Sequence, residues 1–128
     1  MIRTPLLLAA AVLAGPVLAQ QPERAALTLE QTMLLRCSAM FAIVAGEQQR
    51  GVSRALAYPP LAERGQEFFV RAGARLMDER RLTREQLEAA VRAEAAELVQ
   101  GTARSADPAR FVDGVMQPCL AALDASGL

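Results

Sequence analysis

The stretch TLEQTMLLRCSAMFAIVAGEQQRG, residues 28–51, decides how this chain is read. Thr28 and Gln31 have the T-x-x-Q spacing of a capping box, in which each side chain satisfies the other residue's backbone N–H, and Gly51 suits a helix end. Between them, Leu29, Met33, Cys37, Met40 and Val44 recur at intervals of three or four, with Leu34 and Phe41 beside them. That spacing gives a wide apolar stripe on a helix. No charged residue falls between Ser38 and Gly46, which predicts that this helix is the most enclosed one in the fold.

Three further helices obey the same logic. Residues 51–58 read as a connection with room for a helical turn. Pro59-Pro60 then opens a second long helix, since proline fits a first turn. Its inward face is Leu61, Gly65, Phe68, Phe69, Ala72 and Leu76, and its outward face carries i,i+4 pairs Glu67 with Arg71 and Arg75 with Glu79. Gly65 and Gly73 weaken that helix, which points to close approach of a neighbour. Thr83 with Gln86 repeats the capping box and starts a third helix reaching about Thr102, with Leu87, Ala90, Val91, Ala95 and Leu98 inward. Asp107-Pro108 is an N-cap followed by proline at the first position, and it opens a fourth helix carrying Phe111, Val112, Val115, Met116, Cys119, Leu120 and Leu123. Pro118 inside it predicts a kink that Gly114 eases. Strand residues nowhere alternate with polar ones, so the expected fold is all-α: a small antiparallel four-helix bundle, residues 28–126, in one domain.

Composition limits the function. The 128 residues are 52% hydrophobic and 22% charged, with fourteen basic and fourteen acidic side chains and no histidine. Ser-His-Asp triads, histidine-type zinc sites and di-iron bundles built on Glu-x-x-His all lack a required residue. Balanced charge provides no field for steering to nucleic acid, and no nucleic-acid partner is expected.

Residues 1–19 read as a secretory signal peptide: Arg3, the apolar run Leu6–Ala14, Gly15-Pro16, then Val17 and Ala19 ahead of a cut before Gln20. The apolar run is far below the roughly 20 residues that span a bilayer as a helix. Residues 20–27 are then an N-terminal extension, no membrane span remains after cleavage, and the location is periplasmic or secreted. In such a compartment Cys37 and Cys119 are expected to form one disulfide joining the first helix to the last.

Candidate chemistry is sparse. Met33, Met40 and Met116 gather around the two cysteines if these meet, and soft sulfur ligands suit Cu(I), although methionine more often fills gaps and a bridged cysteine is no thiolate. Arg71, Arg75, Arg80, Arg81 and Arg84 form the densest basic stretch, an anion or partner patch in one reading and ordinary surface charge in the other. Glu94 and Glu97 fit a solvated face better than acid–base work. Ser38 fits a bond back to a backbone carbonyl better than a nucleophile. The expected protein is non-enzymatic, with no catalytic residue, cofactor or metal. It acts through an unknown protein partner or as a periplasmic accessory factor. The first alternative is a carrier of a small hydrophobic ligand in a cavity lined by Phe41, Phe68, Phe69 and Phe111; the second is Cu(I) binding.

Overall fold

A computed structural model describes residues 26–128, so the expected leader and residues 20–25 of the extension lie outside the described residues. Five helices pack together: α1 (Leu29–Gln49), α2 (Ser53–Leu56), α3 (Arg64–Arg80), α4 (Arg84–Arg104) and α5 (Pro108–Ala125). No strand occurs among the described residues. The four expected long helices are present, and the 51–58 connection supplies a fifth, α2.

Both capping boxes form. Gln31 N–H donates to the Thr28 hydroxyl at 3.1 Å and Thr28 N–H to the Gln31 side chain at 3.1 Å, and Thr83 and Gln86 repeat the arrangement at the start of α4. Asp107 caps α5 by accepting from Arg110 N–H at 3.0 Å, with Pro108 at the first position. The α3–α4 turn relies on Arg81, whose left-handed φ of 52° lets Leu82 N–H return to the Met77 carbonyl at 3.1 Å.

The start of α3 corrects the expectation that Pro59-Pro60 opens it. Gln48 of α1 reaches across to this segment. Its Nε2 donates toward the carbonyls of Ala55, Tyr58 and Pro59 at 3.1, 3.2 and 2.9 Å, while its Oε1 accepts from Leu61 N–H at 3.1 Å. The segment from Ala55 to Leu61 is thereby pinned to α1. A lone turn closes from Gly65 N–H to the Leu61 carbonyl, and the helical ladder then starts with Glu67 N–H on the Glu63 carbonyl, so the regular helix begins at Arg64.

Helix α1 touches all four others. Its middle is sealed: Cys37, Ala39, Met40, Phe41 and Val44 are each at most 1% exposed. From α5, Met116, Cys119 and Leu123 meet them, equally buried. Cys37 and Cys119 are bonded, with a Cα–Cα distance of 5.2 Å across a sequence separation of 82. For a loop of that length, the chain-entropy model gives about 4 to 5 kcal/mol of stabilisation. The Phe41 and Phe68 rings meet edge to face with centroids 5.3 Å apart. A Cβ at Gly65 would lie 3.1 Å from that of Phe41, and one at Gly73 would lie 2.9 Å from Leu87, so both glycines permit the close approach expected of them. Gly101 plays the same part for the Phe111 ring, a contact that the sequence pattern does not announce.

Leu29 departs from its expected place on the core stripe and is 82% exposed. It is the first residue of α1, and the neighbouring residues Glu30 and Gln31 turn polar groups toward α3 at that level. Helix α5 runs as one element through Pro118.

Candidate functional site

The sulfur cluster assembles as a core. Met40 and Met116 are fully buried in the same apolar cluster as the disulfide, and Met33 packs against its edge, half-buried. The bridge consumes both thiols, which leaves three thioethers among aliphatic and aromatic neighbours. No group of three or more His, Cys, Asp or Glu side chains suited to a metal is present among the described residues.

The arginine stretch runs along α3, through the turn at Arg81 and into the start of α4. Arg75 binds two carboxylates at once, Glu79 at 2.6 Å and Glu30 of α1 at 2.7 Å. These hydrogen bonds raise the Arg75 pKa further and pull that of Glu79 down, with a second donor to Glu79 from the buried Gln31 at 2.8 Å. The result is a polar clamp between the start of α1 and the end of α3. Arg71 is exposed beside Glu63, Glu67 and Val70, Arg80 is half-buried, Arg81 serves the turn, and Arg84 is the first residue of α4. Other residues singled out from sequence also have structural duties. Ser38 donates to the Leu34 carbonyl at 2.7 Å, as expected, while Glu94 is half-buried and paired with Arg36 of α1 at 2.9 Å.

Two surface features stand out. A groove of about 340 Å³ lies where α1, α3 and α4 meet, lined by Phe41, Ala42, Ala45, Ala62, Phe69 and Val91. Small side chains leave it open, and no charged residue lines it. The four phenylalanines do not share it: Phe68 lines a separate depression near Met33, and the Phe111 ring covers Gly101.

The second feature is a cleft with two unlike ends. Its apolar end, about 160 Å³, is bounded by Met40, Ile43, Val44, Leu98 and Val99. Glu47, Arg54 and Val112 belong both to this end and to a wider mouth of about 800 Å³ lined by Tyr58, Asp107, Arg110, Asp113, Gln117 and Leu120. Arg54 grips Glu47 with Nη2 to Oε1 at 2.5 Å and Nε to Oε2 at 3.4 Å, which raises the arginine's pKa. Tyr58 donates to Asp113 at 3.3 Å, and its pKa is raised, first by partial burial and then by the Asp113 charge. Asp113 also accepts from Gln117 at 3.0 Å, and Asp107 is occupied as the α5 cap. Sequence reasoning did not find this cleft, because Glu47 and Arg54 meet only through the turn at Gly51, and Tyr58 meets Asp113 only through tertiary packing.

No family model, curated protein or solved structure matches this chain.

Proposed function

We propose that this is an exported, non-enzymatic protein that acts by docking a partner protein. The observation that carries the reading is the groove between α1, α3 and α4, an apolar concavity that presents Ala42, Ala45, Ala62 and Phe69. Exposed apolar concavities of this kind mark interaction surfaces. Export is supported by the leader-like residues 1–19 and by the Cys37–Cys119 bridge, since disulfides persist in oxidising compartments. A non-enzymatic role is supported by the engagement of the cleft's acids: Glu47 with Arg54, Asp107 with a helix start, Asp113 with Tyr58 and Gln117.

Site-specific photo-crosslinking in the native compartment tests this. A crosslinking residue at Ala42 or Gln66, both in the groove, is expected to trap one discrete partner, whereas one at Arg104, outside the groove, traps none. Equal yields from all three positions would contradict the reading. A second reading, a carrier of a small hydrophobic molecule, is favoured by the groove's volume, which lies inside the roughly 300 to 1,000 Å³ range of ligand sites. It predicts saturable uptake of an apolar dye, abolished by Ala42→Trp.

A further inference from the structure

We infer that the partner seated on the groove is a second copy of this chain, an inference that rests on the docking reading of that groove and names its occupant. The two α3 helices lie antiparallel, related by a two-fold axis at the level of Phe69.

The apolar surface of α3 continues past the rim of the groove. Gln66 borders both the groove and a shallow depression lined by Glu63, Glu67, Val70 and Arg71. Val70, 60% exposed, stands on that border one residue beyond the half-buried Phe69 of the groove wall. Together with the exposed Ala62 and Ala42 they form one face across α3 and α1. Small side chains there let a second helix approach closely, since the distance between packed helix axes is set by the residues at the contact.

The charges beside this face select the occupant. Glu67 and Arg71 have the i,i+4 spacing of a helical pair, yet they do not pair, and neither they nor Glu63 has an ion-pair partner among the described residues. Arg75, one turn further on, is committed to Glu30 and Glu79. The flank of α3 therefore offers uncommitted acids before Val70 and one uncommitted guanidinium after it. A two-fold axis between antiparallel helices sets each flank beside the same flank of its mate. With the axis at Phe69, Glu67 and Arg71 stand two residues to either side of it, so Glu67 of each copy meets Arg71 of the other, twice over. A parallel pairing would oppose Glu67 to Glu67 and Arg71 to Arg71. Exposed pairs of this kind add little affinity but fix orientation, while Val70, Phe69 and the groove supply the apolar contact.

Sedimentation equilibrium of the purified, disulfide-bonded protein from about 5 to about 500 µM tests this, a span that covers weak interfaces of small area. The expected result is a reversible monomer–dimer equilibrium. Glu67→Arg alone and Arg71→Glu alone each oppose like charges across the axis, and each is expected to weaken the dimer about fivefold or more. An equimolar mixture of these two variants is expected to recover the parent's affinity, because every contact between the copies is then one of opposite charges; the double exchange Glu67→Arg with Arg71→Glu recovers it for the same reason. Val70→Glu is expected to weaken the dimer about tenfold or more. All three positions are exposed, and far-UV circular dichroism verifies that the helices persist. A monomer at every concentration overturns the inference, as does a mixture no tighter than its single variants or an unchanged dimer in Val70→Glu. The docking reading is judged apart from this: a monomeric purified protein whose Gln66 crosslinker still traps a different protein in the native compartment keeps the groove as a docking site and removes the second copy from it.

Discussion

Helices α1 and α4 are both 21 residues long and both begin with a Thr-x-x-Gln box, yet their surroundings are opposite. Eight residues of α1 are buried, and the helix touches every other helix; in α4 only Leu87 and Leu98 are buried, and most of the rest faces water. Identical caps thus fix where a helix starts without deciding where it goes. The residues beyond the cap decide that. In α1 the run from Ser38 to Gly46 has no charge to keep wet, so it can be enclosed, whereas α4 places Glu or Arg at almost every third position. Burial of the α1 stripe also explains why the groove and the cleft both have α1 as a wall. What they present of α1 is the margin of that stripe, Ala42 and Ala45 in the groove and Ile43 in the cleft, while Phe41, Met40 and Val44 behind them stay sealed.

The largest effect that would sharpen this contrast comes from the bridge. Replacing both cysteines by alanine is expected to cost about 4 kcal/mol, measured by denaturant unfolding under oxidising conditions, and to leave the native helix content unchanged at low denaturant. A loss under about 1 kcal/mol would mean that α1 and α5 are held by other contacts. Next, Phe41→Ala in the middle of α1 is expected to cost about 3 to 5 kcal/mol, whereas Val99→Ala on the wet side of α4 stays within about 0.5 kcal/mol. Similar losses at the two positions would break the comparison.

The caps should behave alike despite their different settings. Thr28→Ala and Thr83→Ala are each expected to cost about 1 kcal/mol, because both remove one side-chain acceptor from a helix N-terminus. The smallest effect concerns the clamp on α1. The Glu79 carboxyl is held below its ordinary value of 4.5 by its bonds to Arg75 and Gln31, so its contribution is present above that pH and is lost as the pH falls through the lower folded-state value. Glu79→Gln is expected to flatten the fall in stability as the pH drops below 4.5 relative to the parent, monitored by thermal melts through the acid range. An unchanged acid limb would show that the clamp contributes nothing.

Local signals carried much of this fold. The two Thr-x-x-Gln boxes, the Asp107-Pro108 start and the sulfur-bearing stripes of α1 and α5 act through neighbours three or four residues away, and they form as read. What was not legible depended on contacts between distant segments. Gln48 stands in the sequence as one polar residue at the end of a helix, but in the structure it binds four backbone groups and sets where α3 begins. Leu29 fits the apolar spacing yet stays in water, because periodicity does not reveal how far a neighbouring helix extends. Among the arginines at 71–84, the engagement of Arg75 with two carboxylates and the left-handed turn at Arg81 depend on a partner in α1 and on chain geometry, neither of which the local pattern carries. The cleft needed α1, α2, α4 and α5 in place before its residues could meet.

Native-state hydrogen exchange, read amide by amide, tests the central asymmetry most directly. Amides of residues 37–44 in α1 should exchange only through global unfolding and show the same opening free energy as the whole molecule, while those of residues 92–97 in α4 should open at lower cost. Protection of the α4 segment equal to or greater than that of α1 would contradict the picture of α1 as the enclosed centre around which the other helices pack.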